Sequence, residues 1–268
     1  MIISSNYKIN LGLSVLFERA DGFREIETVM YPVSDPMLCD IVEVIPSGEF
    51  MYSGSGIEVD CPWEKNLCTR AFRLMQSCYG LPEVHIHLHK RIPFGAGLGA
   101  GSANAVAVLR LCNNVFELGL SDETLRGLAA QLGSDTSLFV SGRAAVATGR
   151  GEILREISLD LSGYYLMLVK PEVGVSTGEA YSGVVPSLEG LRPSEIIERP
   201  IEQWQDLLIN DFEGSIFRKL PVLQDLKESM LRAGAIYSAM SGSGSTIFGI
   251  FTAPPTIAFP HFTHIVRL

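Results

Sequence analysis

The 268-residue chain carries 21 basic and 30 acidic side chains, a formal net charge of −9, with 47% hydrophobic and 19% charged residues. That balance excludes a disordered chain, which needs low hydrophobicity and high charge, and an acidic bulk field does not draw in nucleic acid or anionic membrane, so a polyanionic ligand needs a local site. The apolar run Tyr164 to Val169 has only strand length against the ~20 residues that span a bilayer, MIISSNYK has no basic-then-apolar leader, and five cysteines without a CxxC point to reduced thiols in a cytoplasmic protein.

In chain order, residues 7–17 alternate as a strand with Ile9, Leu11 and Leu13 on one face. Residues 25–32 and 41–45 read as further strands between Pro, Gly and Ser breaks. A helix is expected over 64–78, with Leu67, Ala71, Leu74 and Met75 on one stripe. Residues 84–88 (VHIHL) alternate strictly. A glycine-rich loop then runs into an Ala/Val/Leu-rich helix over 102–113. Ser121 caps a helix that should end near Gly133, with Ser134 and Asp135 opening a second, short one. Strands are expected at 144–148 and 164–169, with a domain junction in 149–161 between them. Residues 184–200 read as loop or weak helix, and 203–209 and 221–232 as helices. Residues 237–251 read as a glycine-serine turn leading into a strand. The pattern is a mixed α and β protein in two halves.

Within PFGAGLGAGS, glycines 95, 97, 99 and 101 alternate with small or apolar residues. Glycine admits backbone conformations closed to other residues and lets a ligand approach the N–H groups. Ahead of a helix, those groups and the helix dipole form an anion site suited to phosphates. A P-loop is excluded, because no Lys-Ser or Lys-Thr follows the glycines. Gly95, Gly97 and Ala100 fit the looser dinucleotide spelling GxGxxA. The acids at the required distance, Glu117 and Asp122, fall between helices rather than at a strand end, which counts against that reading.

PFGAGLGAGSANA resembles the phosphate-binding signature Pro-x-x-x-Gly-Leu-Gly-[small]-[Gly/Ser]-Ser of the GHMP kinases (galactokinase, homoserine kinase, mevalonate kinase and relatives). YKINLGLSVLFERADGFREIETVMYPV is similar to AKINLxLxVxxxRxDGYHxLET, the opening of the 4-diphosphocytidyl-2-C-methyl-D-erythritol kinase branch. LGSDTSLFVSGRAAVATGRGE resembles that branch's GADVPFFxxGxxAxxxGxGE. VSTGEAY, NDFE at 210–213 and MSGSGST at 240–246 match its remaining landmarks in order. The resemblance implies an α+β GHMP kinase fold of two lobes. Residues 1–155 would form an N-terminal domain like domain 2 of ribosomal protein S5, and residues 156–268 a ferredoxin-like C-terminal domain. It also implies transfer of phosphate from ATP, with Mg2+, to the 2-hydroxyl of the cytidine diphosphate methylerythritol. No nucleic acid or membrane partner is implied, and monomer and homodimer both stay open.

The resemblance assigns roles as follows. The ATP cradle is Pro93, Phe94, Gly95, Ala96, Gly97, Leu98, Gly99, Ala100, Gly101, Ser102 and Ala103, with the Ser102 hydroxyl on a phosphate or the magnesium ion. Asn66 would lie near the base or ribose, a plain helix cap being the other reading. Asp135 is the expected general base, although an Asp after Gly-Ser is in isolation a cap. Lys8 would stand beside it and stabilise developing negative charge. Asn10, two residues on and on the same strand face, would bond the polyol or Lys8. Phe23 and Tyr181 are the expected stacking aromatics for the cytosine. Arg24 replaces the usual histidine; it donates only, so it meets part of the cytosine edge. Ser176 and Thr177 are expected at the diphosphate or ribose, or in a turn. Gly242, Ser243 and Gly244 form a turn expected near the triphosphate. His85, His87 and His89 share one strand face, where a solvated face competes with a metal tripod. Two rival functions stand beside this reading: another GHMP small-molecule kinase, and a nucleotide-binding protein without catalysis.

Overall fold

The computed structural model describes residues 1–268, and its backbone forms two compact units. One comprises Met1–Lys8, Pro32–Phe94 and Gly99–Arg143, the other Ile9–Tyr31, Gly95–Leu98 and Ala144–Leu268. The elements begin with β1 (Ile2–Ser5), β2 (Tyr7–Glu18), β3 (Arg24–Val33), β4 (Asp40–Pro46) and β5 (Met51–Gly56). There follow α1 (Leu67–Tyr79), β6 (Val84–Lys90), α2 (Ala100–Val115), α3 (Asp122–Ala129) and α4 (Leu138–Ser141).

The first unit is built on the sheet β1-β4-β6-β5, antiparallel except for the parallel pair of β5 and β6. The period of two in β6 sends Val84, Ile86 and Leu88 inward, where they meet Val42 and Val44 of β4 and the buried faces of α1 and α2. α1 starts at Leu67, later than expected, because residues 63–65 form a separate 3₁₀ turn and Asn66 caps the helix. It stops at Gly80 in the left-handed conformation. α2 is longer than expected at both ends. α3 ends at Ala129 rather than near Gly133, and residues 130–137 are mainly turns. Two strands of this unit carry no pattern expected above: β1 is four residues long, and β5 (MYSGSG) is rich in glycine, which strands disfavour.

The second unit adds β7 (Ala145–Thr148), β8 (Ile153–Glu156), β9 (Tyr165–Lys170), α5 (Thr177–Ser182), α6 (Pro193–Ile196) and α7 (Trp204–Leu207). α8 (Glu213–Lys219), α9 (Pro221–Arg232), β10 (Tyr237–Met240), β11 (Ile247–Phe251) and β12 (Phe262–Arg267) complete it. One sheet runs β2-β3-β7-β8; β7 and β8 form an antiparallel pair across Gly149 and Gly151. The other is antiparallel with order β10-β11-β9-β12. Counted by appearance that order is 2-3-1-4, the ferredoxin-like arrangement, although residues 252–261 before the last strand contain no helix. Leu223, Leu226 and Met230 on one stripe of α9 pack into its core with Met167, Val169 and Ile247. No helix is long and apolar enough to cross a membrane.

Candidate active site

Lys8 points to the face of β2 opposite Ile9 and is only 4% exposed, with its Nζ 3.1 Å from Oδ2 of Asp135, which is 29% exposed. A buried ammonium requires a countercharge, and folding brings this one from far along the chain. Asp135 does not open a helix as expected. It lies in a run of turns, where Thr136 N–H bonds Gly133 O and Phe139 N–H bonds Thr136 O, three residues before the four-residue α4. Short-range turns win there over a regular helix, so Lys8, rather than a helix dipole, is the charge that faces this carboxylate.

The glycine run enters α2 through Gly99, which caps the helix in the left-handed conformation with no side-chain cap. The first N–H groups of α2, at Ala100, Gly101 and Ser102, therefore lack intrahelical acceptors and point out of the helix end. A Cβ on Gly99 would lie 3.1 Å from Cγ and Cε of Lys8 and 3.2 Å from the Phe139 ring. The glycine is thus what lets the Lys8 stem pass against the loop. At Gly97 a Cβ would stand 2.1 Å from the carbonyl oxygen of Ser241. The glycine-serine turn lies that close: Ser241 Oγ donates to Gly97 O at 3.0 Å, and Thr246 N–H to Ala96 O at 3.3 Å. Gly95 has φ +61° and open space around it. Of the other loop residues, Leu98, Ala100 and Ala103 are buried and Phe94 is exposed.

Two residues that single-residue reasoning missed hold that turn. Asn210 donates from Nδ2 to the carbonyls of Met240 and Gly242, both at 2.8 Å, and accepts from Phe212 N–H at 3.0 Å. Glu213 accepts from Met240 N–H at 2.7 Å and pairs with Lys227 at 2.6 Å. Burial pushes the Glu213 carboxyl above the usual carboxylate range, with Lys227 opposing. The NDFE landmark was the signal, but its spelling does not say what the residues touch. Gly244, at φ +88°, leaves no room for a Cβ beside Met240 Sδ.

The residues expected at the substrate are placed as follows. Asn10 is buried, with Nδ2 donating to Thr28 Oγ1 at 3.1 Å and its N–H to Ser241 Oγ at 3.2 Å. Phe23 is 53% exposed, and the Arg150 guanidinium lies 4.7 Å over its ring. Arg24 donates to Val184 O at 2.9 Å and pairs with Glu18 at 3.0 Å, so it ties β3 to the chain after α5. Tyr181 meets Phe212 edge-on at 4.9 Å and packs against the second unit's core. Ser176 caps α5, accepting from Glu179 N–H at 3.1 Å, and Thr177 is that helix's first residue. Asn66 accepts from Cys68 N–H at 2.9 Å and donates to Tyr52 Oη at 3.0 Å. Ser53 and Ser55 of β5 alternate with His85, His87 and His89 in a hydrogen-bonded ladder. No group of three or more His, Cys, Asp or Glu is arranged to hold a metal ion.

The chain is similar to known proteins over nearly its whole length. The family model for the GHMP kinases N terminal domain matches residues 66–148, and that for the GHMP kinases C terminal matches residues 194–258. The chain is 43% identical over 254 residues to the 4-diphosphocytidyl-2-C-methyl-D-erythritol kinase of Parabacteroides distasonis, covering 95% of this chain and 93% of that one. It superimposes on a crystal structure of 4-(cytidine 5'-diphospho)-2C-methyl-D-erythritol kinase with TM-score 0.78 and 35% identity, over 93% of this chain and 90% of the other. The crystal structure of the Methanococcus jannaschii mevalonate kinase matches with TM-score 0.64 at 14% identity, over 94% and 90%, a likeness of fold.

Proposed function

The chain belongs to the GHMP kinases, in the 4-diphosphocytidyl-2-C-methyl-D-erythritol kinase family, and from that membership we propose how its own residues phosphorylate the 2-hydroxyl of that substrate in non-mevalonate isoprenoid synthesis. A GHMP kinase takes its phosphate from ATP, so the phosphates need a cradle, cationic charge and a positioned acceptor. The cradle is the uncapped start of α2 with the glycine run before it. Asp135 takes the hydroxyl proton as the substrate oxygen bonds the γ-phosphorus and the bond to the ADP oxygen breaks. Lys8 orients the carboxylate and stabilises charge on the transferring oxygens. The observation that carries the reading is the 3.1 Å pairing of Lys8 with Asp135, with the Lys8 stem packed on Gly99.

Magnesium fits as a companion of the nucleotide. The first turn of α2 has no acidic residue, and Mg2+ is held by substrate phosphates and water with few protein ligands. Ser102 would then be the chain's own contribution, and the ion would supply charge neutralisation on the phosphates. Phe23 and Tyr181 stack on the cytosine, while Arg24 shapes the pocket by holding Val184. An enzyme that draws its phosphate from ATP works where ATP is supplied, so the cytoplasm is the proposed location. The test is ADP release measured over a panel of acceptor alcohols: the cytidyl methylerythritol should be strongly preferred, and preference for mevalonate, homoserine or a sugar would overturn the proposal.

A further inference from the structure

The first unit buries an ion pair that the proposed transfer does not use. Asp40 opens β4 and is fully buried, and Lys90 closes β6 and is almost so. Asp40 Oδ2 lies 2.6 Å from Lys90 Nζ and 2.9 Å from Nδ2 of Asn104 in α2. Its Oδ1 accepts from the backbone N–H of Arg91 at 2.8 Å and of Ile92 at 2.9 Å. Lys90 Nζ donates to Ile92 O as well. The other core-facing positions of these strands, Val42, Val44, Val84, Ile86 and Leu88, are aliphatic. A buried ion pair is seldom more stabilising than such apolar packing, so stability alone is a poor reason for charge at this one level of the sheet.

What the charges hold is the chain on either side of the glycine run. Ile92 is the residue before Pro93, and Asn104 stands in α2 just beyond Ser102 and Ala103. Asn104 Oδ1 is buried with no hydrogen-bond partner, so the amide is oriented by its bond to Asp40. Burial draws the Lys90 ammonium below the ordinary lysine value, with Asp40 opposing.

We propose that Asp40, Lys90 and Asn104 are positioning residues for the reaction: one buried carboxylate pins both ends of the glycine run, so that its N–H groups are set for the phosphates before ATP arrives. The inference rests on the reading of that run as the ATP cradle. A loop fixed in advance loses less freedom when it binds, and the interactions it makes are held where the transferring charge needs them.

The test uses the full chain and varies ATP and the cytidyl substrate separately. Asn104→Ala keeps the ion pair and suits a helix interior, and Lys90→Met removes the cation. Each should raise the KM for ATP about tenfold and leave that for the cytidyl substrate within about twofold, the loss of a hydrogen bond to a charged group being the cause. Thr69→Val, which alters an unpartnered hydroxyl in the same core, should shift the melting temperature without moving either KM. Folded variants with lower melting temperatures but unchanged KM for ATP would make the cluster merely structural. If Lys90→Met does not fold, Asn104→Ala decides. Gly99→Val separates the two readings: if it raises the KM for ATP and Asn104→Ala does not, the anchor fails alone. If neither does, the cradle reading fails with it.

Discussion

Asp135→Asn preserves the shape of the side chain and removes the basic oxygen beside Lys8. Turnover should fall by roughly 10²–10⁴-fold, the usual contribution of a positioned base, while ATP affinity is largely kept. Near-normal turnover would take the base role from Asp135. The two aromatics expected at the cytosine are unequal in their surroundings, which sharpens a second prediction. Phe23 is half exposed and Tyr181 packs edge-on against Phe212. A base–aromatic contact contributes about 1–3 kcal/mol, so Phe23→Ala should raise the KM for the cytidyl substrate by roughly one to two decades at little cost in melting temperature. Tyr181→Ala should do the same and also lower the melting temperature, because it opens a partly buried site. An unchanged KM in both variants places the base elsewhere.

A single loop contains glycines retained for different reasons. Gly95→Ala meets only the strain of a positive φ, about 1–2 kcal/mol, and its neighbourhood is open. Gly97→Ala drives a Cβ into the Ser241 carbonyl at 2.1 Å, so the glycine-serine turn or the loop must move. Thermal melts should rank Gly97→Ala well below Gly95→Ala, and equal melting temperatures would show that the turn does not press on the loop. That turn is in turn braced by Glu213, whose folded-state pKa is raised by burial. A raised carboxyl pKa adds stability fully present below its unfolded value and lost as pH rises through the folded one. The melting-temperature advantage of the parent over Glu213→Gln should therefore shrink as the pH is taken up from the unfolded glutamate value through the raised one. An advantage that grows over that range would contradict the burial argument.

At the scale of the molecule, a site that binds Mg·ATP in the folded chain and not in the unfolded one must stabilise the fold by mass action. At one hundred times its dissociation constant the gain is about 2.7 kcal/mol, readable as a rise in melting temperature. The rise should vanish in Gly99→Val, in which a branched side chain meets Lys8 and Phe139. An equal rise in parent and variant would detach nucleotide binding from the glycine run. The acidic surface, net −9, sets no general field for a triphosphate, so this binding should depend on the local N–H groups and Lys8.

Local pattern was enough for β2 and β6, which alternate, for β3 and β4, which stand between Pro, Gly and Ser breaks, and for α9, whose bounds coincide with the expected 221–232. Resemblance to the GHMP kinase motifs was enough for the family and for expecting Lys8 beside Asp135, since neither residue carries that role on its own local pattern. It was not enough for Asp135's backbone, where a run of turns replaces the expected helix start, nor for β5, whose glycines hide a strand that exists through pairing with β6. The roles of Asn210, Glu213 and Asp40 were equally out of reach, since each acts on residues distant in the chain. Such contacts have no sequence period. They arise only when the fold brings a buried polar group to the one partner that can satisfy it, and tertiary structure alone decides which partner that is.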